Sequence, residues 1–245
     1  MLNRLLVLCC VILLIQCVPE SKKTLTEVDI DFNNESVRRL YDLRNFHKVD
    51  SLFEYMEVDN PSQRFIAVNA FSTIKDPLAL DALFERLNDP SSDVRAVAGY
   101  AIGQIGKSSA QDSLLQAFRQ QDTTSVDNKI NSTILEAVGK VGDQSLLVPL
   151  STVSTYRSTD TLLLLGQSRA IYRYMIRGMT TPQGSSKMVE FITSDQLDDQ
   201  IRLYAAHYLA RAKDIDLDGF KFQLNNAMLS ERNPNIKMAL VLALG

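Results

Sequence analysis

The stretch that decides the fold is Asp89-Pro-Ser-Ser-Asp-Val-Arg-Ala-Val-Ala-Gly-Tyr-Ala-Ile-Gly-Gln-Ile-Gly106. Asp89-Pro90 marks a turn and a helix start, because proline fits the first helical turn but cannot continue a preceding helix. Val94, Ala98, Ala101, Ile102 and Ile105 recur at steps of three and four, which is one apolar stripe of a helix. Gly106 supplies the left-handed residue that ends it. A second amphipathic helix follows over Lys107 to Arg119, with Leu114, Leu115 and Phe118 on its apolar side. One such pair cannot bury both of its faces alone.

Working outward, the pattern recurs. Asn60-Pro-Ser-Gln-Arg-Phe-Ile-Ala-Val-Asn-Ala-Phe-Ser-Thr-Ile74 aligns with it, with a second helix from about Pro77 to Leu87. Ile134 to Gly142 repeats the Gly-x-x-Gly ending, Ser168 to Ile176 is similar to Gln200 to Leu209, and Asn233 to Gly245 comes last. Taking Arg64, Arg95, Asn131, Arg169, Arg202 and Lys237 as equivalent gives spacings of 31, 36, 38, 33 and 35 residues. A period in the thirties built from helix pairs is the mark of a stacked repeat protein. Asn34 to Met56 holds one more pair without the repeat signature and reads as an end cap.

These residues resemble the HEAT family in its short variant first noticed in phycobilin lyases. That variant's signature is similar to Asp-x-x-x-x-Val-Arg-x-x-Ala-x-x-Ala-Leu-Gly-x-Ile-Gly, matched here at Asp89, Val94, Arg95, Ala98, Ala101, Gly103, Ile105 and Gly106. The resemblance implies an all-α, right-handed solenoid over residues 59–245, following a capping pair at 34–58. It also implies that the recurring arginines pair with acidic residues between neighbouring repeats, with Asp93 as one candidate. Tetratricopeptide landmarks do not occur in register.

The chain has 245 residues, 26 basic against 29 acidic, for a net charge of −3. Nothing in that balance points to nucleic acid. Leu5 to Ile15 is an unbroken apolar run of 11 residues behind Arg4. A membrane-spanning helix needs about 20, so the run reads as a secretory signal core. Leu14-Ile15-Gln16-Cys17 resembles a bacterial lipoprotein box, in which the cysteine is acylated, although Gln16 stands where that box has Gly, Ala or Ser. Ordinary cleavage and an uncleaved signal-anchor are the alternatives. The expected organisation is a lipoprotein-type leader at 1–16, lipid attachment at Cys17, a tether over 17–33, and a body on the periplasmic face of a bacterial outer membrane.

Sites for chemistry are sparse. His47 and His207 lie in different repeats, no serine stands in a Gly-x-Ser-x-Gly elbow, and there is no phosphate-binding loop. Gly103-Gln-Ile-Gly106 is a helix terminator. No catalytic, cofactor-binding or metal-ligating residue is therefore expected. Tyr172, Arg173 and Arg177 form an Arg/Tyr-rich turn, the residue types favoured in binding hot spots, and are the candidate contact with a partner. The expected partner is a protein or peptide, with the membrane touched only through the lipid.

Two further readings come from resemblance. Leader, cap, repeats and the Arg169-Ala-Ile-Tyr-Arg-Tyr174 helix look like the N-terminal half of exported Bacteroidota proteins that end in a cyclophilin-type peptidyl-prolyl isomerase domain. That would make this chain a substrate-holding arm with catalysis beyond Gly245. A phycobilin lyase fits the repeat type but not the export signal. Gly245 aligns with Gly103, inside a first helix. Ile236, Leu240 and Ala243 are expected to pack on the preceding pair, leaving Val241 and Leu242 for a second helix and further repeats, as expected of the N-terminal part of a longer protein.

Overall fold

A computed structural model describes residues 26–118, 127–153 and 156–245. The leader and Cys17 lie outside the described residues. The described residues hold thirteen α-helices, four 3-10 turns and no strand. Six helix pairs follow one another: α1 (Glu35–Asn45) with α2 (Val49–Met56), α3 (Pro61–Ile74) with α4 (Leu80–Arg86), α5 (Ser92–Ile105) with α6 (Gln111–Ala117), α7 (Asn128–Val141) with α8 (Leu147–Ser151), α9 (Thr161–Ile176) with α10 (Pro182–Thr193), and α11 (Asp199–Arg211) with α12 (Lys221–Ser230). A last helix, α13 (Pro234–Leu244), packs on α11 and α12. The molecule is an all-α solenoid of HEAT-like pairs.

Local chemistry sets the helix ends. Asn60, Asp198 and Asn233 accept the backbone N–H two residues on, capping α3, α11 and α13, and proline occupies the first turn of α3 and α13. Asp89 does not cap α5, which starts at Ser92. Its carboxylate instead accepts the Ser91 N–H at 2.8 Å and fixes the turn before the helix. Gly106 ends α5 with φ +75°, a conformation that costs other residues a clash with their own Cβ.

Each first helix stacks on the next and the core forms between the layers. Val94, Ala98, Ala101 and Ile102 are completely buried, while Ile105 is only half-buried at the helix end. In α6, Leu114 is buried but Leu115 stands exposed, and the helix stops at Ala117. The first-helix layer is packed backbone to backbone. A Cβ added at Gly139 would lie 2.6 Å from both Cα and the carbonyl oxygen of Ala170, and one at Gly166 would lie 2.8 Å from Ser132 Cα. The second helices α4, α6 and α8 are only five to seven residues long and meet one another much less. The first helices therefore form the more tightly packed of the two layers.

Three expectations are corrected by the structure. Arg169 is not the counterpart of Arg95. Arg64, Arg95, Asn131, Arg202 and Lys237 each stand four residues after the helix N-cap, whereas Arg169 stands nine after Asp160, because α9 has 16 residues. Asp93 does not pair with an arginine; it takes Lys129 at 2.6 Å. The tether expected to run through Asn33 is seated on the body from Val28. Val28 and Ile30 pack against the core, and the Asp29 N–H donates to Ser62 Oγ at 2.8 Å. Ile236 and Leu240 are buried in α13, with Val241 and Leu242 exposed.

Candidate partner-binding face

The recurring arginines divide into two roles. Arg64 is buried and forks onto both carboxylate oxygens of Asp89 at 2.8 and 2.9 Å, while its remaining nitrogen donates to the carbonyls of Val58 and Asp59. Arg95 reaches Asp127 at 3.2 Å, and Arg202 pairs with Glu231. In all three, the acidic partner leads into the following repeat. They are inter-repeat staples, and repetition is what stacking demands of them.

Arg169 turns the other way, back to α7. Glu136 there is nine-tenths buried and is shared by three cations: Arg173 at 2.8 Å, Lys140 at 3.2 Å and Arg169 at 3.6 Å. Burial pushes the Glu136 carboxyl up, but Lys140 and Arg173 outweigh it and hold the group below the usual carboxylate range. Lys140 is held below its usual range by burial, with Arg173 adding to the effect.

From this cluster a continuous strip of side chains crosses the first-helix layer. Lys140 lies 5.1 Å from the ring centre of Tyr100 on α5, which is 41 % exposed. Arg169 lies 5.4 Å over the Tyr204 ring on α11, and that ring meets Tyr172 edge-on at 5.5 Å. Arg211 donates to the Tyr172 hydroxyl at 2.5 Å. His207, one turn before Arg211, is held below its usual range by burial and then by that arginine. Four first helices, α5, α7, α9 and α11, thus contribute to one basic and aromatic strip.

The three residues singled out by sequence fall at different depths of it. Tyr172 is buried and serves as the hinge between Tyr204 and Arg211. Arg173 makes the shortest contact with Glu136 and keeps a third of its side chain exposed. Arg177 stands apart: it donates to the carbonyls of Gly139 and Gly142, closing the end of α7. Sequence reasoning missed Glu136, Lys140, Tyr204 and Arg211. The available signal was Glu136 and Lys140, charges four apart on one face of the apolar second half of α7.

An open cavity of about 960 Å³ lies elsewhere, between the ends of α8 and α10 and the segment joining α11 to α12. Six Ser and Thr side chains line it together with Lys187, Glu190, Asp214 and Asp216, of which Lys187 and Glu190 pair at 2.7 Å. Among the described residues no cluster of three His, Cys, Asp or Glu could hold a metal, and no helix is long and apolar enough to cross a membrane.

Comparison with known proteins agrees with this architecture. Residues 49–133 match the family of HEAT repeats. The fold is similar to a chain in the complex of CpcE and CpcF of phycocyanin lyase from Nostoc sp. PCC7120, with a TM-score of 0.52 at 16 % identity over 87 % of this chain and 90 % of that one. At that identity the likeness concerns the fold alone. No curated protein matches the sequence.

Proposed function

We propose that this protein is a HEAT-type scaffold that binds a protein or peptide partner on the strip formed by α5, α7, α9 and α11, and that it is exported and held at a bacterial membrane by a lipid on Cys17. The observation that carries the binding reading is the strip itself. Cations and aromatic rings from four successive repeats meet on one face of a rigid layer, where one extended ligand can touch all of them. The solved complex of CpcE and CpcF supports it by analogy, as a HEAT-like chain assembled with a protein partner. Export and lipidation are supported by the short apolar run and by Cys17 at its end. The resemblance of leader, cap and repeats to the exported cyclophilin-type isomerases gives a second reading, in which the same strip holds the isomerase's substrate.

One experiment addresses both parts. The chain is expressed in its native bacterium with a photo-crosslinking amino acid in place of Tyr100 or of Phe222, in wild-type and Cys17→Ala backgrounds, with an alkyne fatty acid in the medium. Phe222 is 77 % exposed and lies on α12, away from the strip. The expected result is a discrete protein adduct from position 100 alone, and fatty-acid label that disappears with Cys17→Ala. Equal adducts from both positions contradict the binding face. Label that survives the substitution contradicts the anchor.

A further inference from the structure

Resting on the partner-binding reading, we infer that the strip takes an extended acidic peptide with a carboxylate at every third residue. The charge count comes first. Lys140, Arg169 and Arg173 share a single carboxylate, Glu136, and Arg211 on the next first helix is bonded only to the Tyr172 hydroxyl among the described residues. One carboxylate cannot neutralise four cations, so the strip carries a local positive excess within a chain of net charge −3. Each of the cations is still open to solvent in part: the Arg173 side chain by 33 %, Arg169 by 27 % and Lys140 by 14 %, with Arg211 exposed.

The donors are also incompletely used. Arg169 Nε is buried without a hydrogen-bond partner, and its terminal nitrogen reaches Glu136 only at 3.6 Å. A guanidinium held this loosely can donate through its terminal nitrogens to a second carboxylate. Burial holds Lys140 below its usual range, so a ligand carboxylate nearby would favour its charged form.

Spacing then defines the ligand. The cations stand on three successive first helices: Lys140 on α7, Arg169 and Arg173 on α9, and Arg211 on α11. Packed helix axes lie about 8–10 Å apart. An extended chain in the polyproline II conformation advances about 3.1 Å per residue with about three residues per turn, so every third side chain returns to the same side after about 9 Å. A peptide crossing the stack with acidic residues three apart meets each cation in turn, with Tyr100 and Tyr204 as flat surfaces for the residues between.

The test is a fluorescence-anisotropy titration of the full chain in detergent micelles. Three labelled peptides are compared: repeated Glu-Ala-Thr, the same composition with its glutamates in one block, and repeated Lys-Ala-Thr. A single-stranded oligonucleotide of similar length is the fourth probe. The spaced acidic peptide is expected to bind about tenfold tighter than the block, with salt weakening it and the lysine peptide inert. Arg173→Glu removes binding, whereas Arg157→Glu, an exposed residue off the strip, leaves it within about twofold. Glu136→Gln deletes the competing carboxylate and tightens binding several-fold, which a purely structural role for Glu136 would not do. Equal affinity for block and spaced peptides, equal affinity for the oligonucleotide, or weaker binding in Glu136→Gln overturns the inference. A partner crosslinked through position 100 that ignores acidic spacing would end this inference and leave the scaffold reading intact. Failure of that crosslink ends the scaffold reading itself.

Discussion

Arg64 shows how much can rest on one side chain. Its guanidinium is buried on a carboxylate with no exposed side-chain area, and its other donors close two backbone carbonyls. A surface ion pair is worth about 0–1 kcal/mol. Removing one member of a buried pair costs far more, because the other charge is left desolvated. Arg64→Met is therefore expected to lower stability by about 3–5 kcal/mol, read as a fall in the urea midpoint. Adding Asp89→Asn should restore more than half of that loss, since Asn can still accept the Ser91 N–H while carrying no charge. A double variant no better than the single one would place the cost elsewhere. Residues of this kind were legible in sequence through their recurrence. Arg169 was not, because an alignment by residue type cannot register that α9 starts earlier than its neighbours and that its arginine sits a turn and a half further along.

At the scale of the element, the close stacking of first helices depends on residues with no side chain to interpose. The backbone of Ala170 occupies the space where Gly139 would carry a Cβ. Gly139→Ala must push α7 and α9 apart, and overpacking of this sort costs about 1–3 kcal/mol. Gly219, with nothing within 4 Å of an added Cβ, is the control, and Gly219→Ala should change the thermal midpoint little, by the equivalent of about 0.5 kcal/mol or less. Equal effects at the two positions would mean that the layer is looser than described. The sequence revealed these helices through apolar periodicity and glycine stops. It did not reveal which polar residues share a face across repeats. Glu136 meets Arg173 over 37 positions of chain, and that distance closes only when the stacking angle is known.

In the whole molecule, one continuous layer of first helices both holds the chain together and presents the basic strip. Isolated helices of five to seven residues are not stable in water, so α4, α6 and α8 are held by what they rest on. The first helices α5, α7 and α9 share backbone contacts and buried side chains on two sides. Solenoid stability is a sum of such neighbour terms, so protection should follow the layers and not the order of the chain. Amide hydrogen exchange of the free chain, resolved helix by helix, measures this directly. The slowest exchange is expected in α7 and α9, then α5 and α11, with α4, α6 and α8 exchanging well before their own partners. Exchange in α4, α6 and α8 as slow as in α5 and α7 would contradict this order.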